Sequence, residues 1–266
     1  MSEQSAQPEH RVAVSTEGGV MTLALDSPHN RNALSNQLVR ELTEGLAAAD
    51  ADESVRCVVL THTGGTFCAG ADLSEATEGG TDGPARERAE QLVDLLEAIV
   101  RCGKPVIGRI DGHVRAGGMG LVASCDLVVT GPSSTFALTE ARLGLAAAVI
   151  SIPVLARLDD RSASRWLLTA GTFDAAEAQR IGLVTEAVDD VDAAVTALTD
   201  ELLQCSPQGL RETKVLLTHG LLEAFAAGRD RVAEQSSRLF QSEEAQEGMT
   251  AFLQRRPPRW APQAAG

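Results

Sequence analysis

Three short apolar runs, each followed within a few residues by a turn, constrain this chain more than any other feature. They recur around Leu60, Ile110 and Val129. Cys57-Val58-Val59-Leu60 shows no polar alternation and is bounded by polar turn residues, the mark of a strand buried on both faces. Val106 to Ile110 follows a Lys104-Pro105 stop, and Leu127 to Thr130 follows a helical stretch over Gly118 to Ser124. The recurrence, at irregular spacing, hints at a repeated strand-strand-helix unit.

Helical periods fill the intervals. Leu34, Leu38, Leu42 and Leu46 recur every four residues as one amphipathic stripe, with Ser35 as N-cap and the acidic Asp50 to Glu53 as terminus. Leu92, Leu95, Leu96 and Ile99 mark one face of a helix over Ala85 to Arg101. A hairpin opens the chain, with Val12 and Val14 facing Val20 to Leu25 across Glu17-Gly18-Gly19. A second apolar run, Leu143 to Leu155, closes at the polar Arg157 to Arg161. From Ser162 onward the chain is helix-rich, with a cap at Asp174 to Glu177 and no strand-rich segment. Strand and helix alternate, so the fold class is α/β. Glu78 to Gly83 is polar and glycine-rich, and is expected to be a mobile loop.

Composition removes several functions. With 23 Lys and Arg against 37 Asp and Glu, the net charge of −14 repels nucleic acid and anionic membrane surfaces. Aromatic residues make up 3% and there is no Tyr, so there is no stacking ladder for single strands. No apolar run approaches the roughly 20 residues that span a bilayer, and Met1 to His10 is polar, so a cytoplasmic protein without membrane insertion is expected. Cys57, Cys68, Cys102, Cys125 and Cys205 form no CxxC pair and no Cys/His cluster; they read as reduced core thiols, with no metal site or disulfide framework.

Two glycine-containing segments lie between a strand and a helix: Phe67-Cys68-Ala69-Gly70-Ala71-Asp72-Leu73, and Asp111-Gly112-His113-Val114-Arg115-Ala116-Gly117-Gly118-Met119-Gly120. Small residues let a ligand approach the backbone, and the first N–H groups of a helix lack intrahelical partners. Gly117 is thereby placed to donate to a developing oxyanion, with Ala71 as a second donor. Each cluster alone reads equally as a tight turn. No GxGxxG closes the first strand, which excludes dinucleotide binding, and no GxSxG elbow or triad spacing supports a peptidase.

Over nearly its whole length the chain resembles the crotonase (enoyl-CoA hydratase/isomerase) superfamily. The resemblance is carried, in the family's order, by Arg31-Asn32-Ala33-Leu34, Phe67 to Leu73, Lys104-Pro105-Val106-Ile107, Ala116-Gly117-Gly118, Ser124-Cys125-Asp126, Phe136, Glu140 to Leu145, and Leu168-Thr169-Ala170-Gly171. It implies a crotonase-like spiral of strand-strand-helix repeats over 11–200, after a disordered tail at 1–10. A helical part over 201–266 would build homotrimers or homohexamers. It further implies an acyl-CoA substrate, no separate cofactor and no metal, and an oxyanion hole from Ala71 and Gly117. Arg31, Ala33, Ala69 and Asp72 would lie on the CoA side, Asp72 also capping the following helix.

Glu140 matches the family's second catalytic carboxylate. Burial among Phe136, Leu138, Leu143 and Leu145 would raise its pKa toward neutrality; without the resemblance it reads as a surface acid paired with Arg142. The family's first carboxylate falls on Gly120 and is missing, and Ala147-Ala148-Val149-Ile150-Ser151 replaces the usual Gly-Gly-Thr. Three functions follow: an enoyl-CoA hydratase using one Glu, nearest to a glutaconyl-CoA-type branch; a Δ3,Δ2-enoyl-CoA isomerase; or a non-catalytic acyl-CoA binding protein. His113 and Arg115 precede the glycines, and Arg115 is a candidate partner for a distal substrate carboxylate. The basic Arg255-Arg256-Pro257-Pro258-Arg259 is a candidate for the CoA phosphates.

Overall fold

The structure is a computed structural model that describes residues 10–78 and 83–262. Strands β1 (Val12–Glu17) and β2 (Val20–Leu25) form the opening hairpin, turning at Gly18 and Gly19 with φ of 58° and 86°. Helix α1 (Asn36–Ala51) starts where the Ser35 hydroxyl accepts from the Leu38 N–H at 3.3 Å. Leu38, Leu42 and Leu46 bury its stripe; Leu34 lies outside the helix, in a parallel bridge with Ala71.

Three turns of the repeat follow. The first is β3 (Cys57–His62), β4 (Thr66–Cys68), α2 (Leu73–Glu78) and α3 (Gly83–Arg101). The second is β5 (Val106–Ile110), β6 (His113–Arg115) and α4 (Gly117–Ser124). The third is β7 (Leu127–Thr130), β8 (Thr135–Ala137) and a 3-10 turn over Glu140–Leu143. After these come α5 (Ser151–Leu155), α6 (Asp160–Thr169), β9 (Phe173–Asp174), α7 (Ala175–Arg180), β10 (Glu186–Ala187), α8 (Val191–Gln204), α9 (Pro207–Phe240) and α10 (Glu243–Leu253).

Each turn gives its first strand to one sheet and its second strand to another. The larger sheet runs β1-β2-β3-β5-β7-β10 and the smaller β4-β6-β8-β9. From β2 through β10 the larger sheet is parallel, and both of its faces are covered, which is why the Cys57 run is apolar at every position. Leu38, Leu42, Leu96 and Ile99 pack on one face; Val191 and Val195 of α8 pack on Val59, Ile107 and Val129 of the other.

The last third is helix-rich and holds only two short strands among the described residues, β9 and β10, of two residues each, which each extend one sheet. Cys57, Cys68, Cys102 and Cys125 are core thiols as expected, but Cys205 is exposed. Most of the expected Glu78 to Gly83 loop, and nearly all of the expected tail, lie outside the described residues.

Two contacts fasten the C-terminal helices. Lys214, buried on α9, pairs with Asp126 at 2.7 Å and donates to the Ile99 and Lys104 carbonyls at 3.1 and 3.0 Å, so one ammonium joins α9, the end of α3 and the start of β7. Helix α10 lies directly on the Glu140–Leu143 turn. A Cβ on Gly248 would sit 2.5 Å from the Leu143 carbonyl carbon, and one on Gly144 would sit 2.6 Å from the Glu244 carbonyl carbon. No helix among the described residues is long and apolar enough to cross a membrane.

Candidate active site

Strands β4, β6 and β8 are parallel, with Cys68 opposite Val114 and Arg115 opposite Ala137. Their carboxyl ends therefore align along one edge, where α/β sheets place ligands. Ala71 is the third residue beyond β4, Gly117 the second beyond β6, and Glu140 the third beyond β8.

The segments carrying the two small residues are in contact. A Cβ on Gly117 would lie 3.9 Å from the Ala71 nitrogen and 2.7 Å from Leu34 Cδ1, so a side chain at 117 would have to displace the end of Leu34. Gly70, at φ 91°, also backs onto the second segment: its Cβ would meet that of Ala116 at 2.7 Å and the Gly117 nitrogen at 3.4 Å. Among the described residues neither the Ala71 nor the Gly117 N–H has a hydrogen-bond acceptor. Gly117 opens α4, whose first N–H groups have no intrahelical partner, and the Leu34 bridge uses the Gly70 carbonyl and Asp72 N–H on either side of Ala71. Beneath both segments lies Cys68, whose sulfur accepts from the Gly70 N–H at 3.4 Å and whose Cβ would meet one on Gly118 at 2.7 Å.

Glu140 begins the 3-10 turn after β8. Its Oε2 is buried without a hydrogen-bond partner among the described residues, and burial raises its pKa to about 7. Among the described residues Glu140 forms no ion pair with Arg142, which is exposed. At Gly120 an added Cβ would meet Ile150 Cγ2 at 2.7 Å and Leu96 Cδ1 at 3.0 Å. Position 120, where the resemblance would put a first carboxylate, is thus packed against apolar side chains from α3 and from the turn before α5.

The CoA-side candidates are brought together by the Ser27 to Ser35 loop. Arg31, exposed at φ 59°, accepts from the Ala69 N–H through its carbonyl at 3.1 Å; Ala33 is buried beside it. Asn32, fully buried, accepts from Ser27 N–H and donates to the Thr63 and Thr66 carbonyls at 3.1 and 2.8 Å, a rivet to which the sequence reading assigned no role. Asp72 accepts from the Ser74 N–H and hydroxyl at the start of α2 and from Asn30 Nδ2 at 3.0 Å, bonds that hold its carboxyl below the usual range against burial, which acts the other way.

Arg115 turns onto β8, donating to the Val114 and Thr135 carbonyls and to the Thr135 hydroxyl. Its guanidinium is therefore committed to the sheet, not held free for a substrate carboxylate. In the basic tail, Arg256 binds Glu247 through both terminal nitrogens at 2.6 and 2.9 Å, and the Arg259 N–H donates to the same carboxylate. Two crevices lie elsewhere. One of about 640 Å³ is bordered by Arg165, Trp166, Phe173 and Arg180, and one of about 450 Å³ opens between α8 and the β2-β3-β5 face; neither is lined by Ala71, Gly117 or Glu140.

Comparison with known proteins gives the same outline. The enoyl-CoA hydratase/isomerase family model matches residues 15–263. A crystal structure of an enoyl-CoA hydratase from Mycobacterium avium is 50% identical with a TM-score of 0.88, covering 95% of this chain and 100% of that one. The 2,3-dehydroadipyl-CoA hydratase of Escherichia coli is 32% identical over 92% of this chain and 96% of its own length. A peroxisomal Delta(3,5)-Delta(2,4)-dienoyl-CoA isomerase of Arabidopsis thaliana is 26% identical over 98% and 99%. With a two-sheet spiral, a helical C-terminal part and a family match over nearly all its residues, the chain belongs to the enoyl-CoA hydratase/isomerase family and has the crotonase fold.

Proposed function

We propose that the protein hydrates a 2-enoyl-CoA thioester, branched or of glutaconyl type, with one carboxylate. The observation that carries this is Glu140, whose Oε2 is buried without a hydrogen-bond partner among the described residues and whose pKa burial raises to about 7, at the same strand edge as two N–H groups without an acceptor among those residues. The thioester oxygen accepts from Ala71 and Gly117. Glu140 takes a proton from water as its oxygen bonds to the β-carbon. Enolate charge gathers on the thioester oxygen between the two amides, and Glu140 returns the proton to the α-carbon. Loss of one such amide donor typically costs about 100-fold to 1000-fold in rate. Arg31, Ala33, Ala69 and Asp72 line the CoA side. The reaction requires no metal and no cofactor beyond the CoA of the substrate, and we assign it to a cytoplasmic homotrimer or homohexamer.

A second reading, Δ3,Δ2-enoyl-CoA isomerisation, is favoured by the filled space at Gly120. Ile150 and Leu96 offer no second polar group to hold a water, whereas moving a proton between the α and γ carbons needs only Glu140. Separate incubations with a 2-enoyl-CoA and a 3-enoyl-CoA decide between them. Loss of conjugation from the first supports hydration, and appearance of conjugation from the second supports isomerisation. Either activity should fall with Glu140→Gln. Tight binding without turnover of either would leave only an acyl-CoA binding protein.

A further inference from the structure

Ala116, the residue before α4, has φ 46° and ψ −119°, a conformation open to glycine and unfavourable for alanine. Its ψ sets the plane of the next peptide, and the N–H of that peptide is the Gly117 donor. Half a turn about this bond would return Ala116 to the ordinary left-handed well. The same rotation would withdraw the Ala116 carbonyl from the Met119 N–H, now 2.8 Å away, and reverse the Gly117 N–H. The residue is pinned on its other side by its own N–H, which donates to the Ala137 carbonyl at 3.0 Å.

Glycine at 116 would relieve the torsion, yet the chain carries a methyl there. That methyl lies 2.7 Å from the point where a Cβ on Gly70 would stand, between the segment that carries Ala71 and the segment that carries Gly117. The two segments cannot close further without displacing it, because atoms in van der Waals contact resist compression steeply.

We infer that Ala116 is a positioning residue, its methyl a spacer that sets the gap between the two amide donors while its backbone aims the second. This rests on the acyl-CoA reading above. Without the methyl, Gly117 and Gly70 gain freedom and the donors no longer hold one separation, whereas the fold loses only an unfavourable torsion. A misplacement of this kind lowers the rate more than it lowers ground-state binding.

The test compares the wild type with Ala116→Gly and with Ala116→Ser, which keeps a Cβ. Acetoacetyl-CoA, whose α-carbon is acidic and whose enolate absorbs in the near ultraviolet, is the probe of the donor pair. The enolate band should appear with the wild type and Ala116→Ser. For Ala116→Gly the midpoint of thermal unfolding should be no lower than that of the wild type, enolate binding about tenfold weaker, and kcat on the enoyl-CoA isomer that is turned over about tenfold lower, with KM within about threefold. A wild-type band that survives undiminished in Ala116→Gly, with kcat unchanged, would overturn the inference alone. So would a lowered unfolding midpoint for Ala116→Gly, which would make the methyl a packing group. No band with the wild type would overturn the acyl-CoA reading and the spacer with it.

Discussion

Glu140 is an acid whose surroundings favour its neutral form. Because burial raises its pKa from 4.5 to about 7, the folded chain holds this proton more tightly than the unfolded chain does. Its contribution therefore favours the fold at low pH and is lost as pH rises through about 7. Glu140→Gln is expected to be more stable than the wild type above pH 7, by at most about 3 kcal/mol, with the difference closing below about pH 4.5. Urea unfolding at several pH values measures this. Activity moves the other way: kcat/KM should rise with pH through about 7 as the base ionises, and the variant should lose at least about 100-fold. In α4, Gly120→Ala should cost about 1–3 kcal/mol through overpacking against Ile150, and Ile150→Ala in the same chain should restore part of it. Glu140 and the glycine segments were legible in the sequence because glycine and a matched motif leave a signal in residue type. Ala116 left none, since alanine says nothing of an unusual torsion, and Ile150 was hidden because its contact with Gly120 joins two distant segments.

Helix α9 is held to the body by a buried ion pair, and α10 by the absence of two side chains. Lys214→Met should destabilise the fold by up to about 3 kcal/mol, because Asp126, largely out of solvent, would keep the Val106 N–H as its only donor among the described residues. Lys214→Met with Asp126→Asn should recover a good part of that loss in denaturant unfolding. Gly248→Ala must push α10 away from Leu143, and with it loosen the cover over the turn that carries Glu140. The expected result is a pH-activity midpoint moved down toward the usual carboxylate range; an unmoved midpoint would mean that α10 does not contribute to the burial of Glu140. The elements themselves divide by length. Helix α1 was readable from Leu38, Leu42, Leu46 and the Ser35 cap, since several turns of a helix repeat the signal. Strands β4, β6 and β8 have three residues and β9 and β10 two, too few to show any period. They exist only through pairing with distant strands, so the repeated strand-strand-helix unit implied a second strand in each turn without locating it.

The assembled chain leaves large apolar side chains in solvent at Leu168, Leu216 and Leu217, at 79%, 80% and 76% exposure. Water contact over so much hydrocarbon is unfavourable by roughly 25 cal/mol per Å², which makes self-association the expected outcome. Leu216→Glu with Leu217→Glu should convert the proposed trimer to monomers in sedimentation velocity; a wild type that already sediments as a monomer would dismiss the association. The spiral has a further consequence. The proposed anion cradle and the proposed proton carrier follow separate strands of one small sheet, so they can be altered one at a time. Randomising residues 145–147, which leaves Gly144 and Ile150 in place, would vary the chain downstream of Glu140 while both amides keep their place. The architecture thus lends itself to new thioester chemistries reached by changing a single connection.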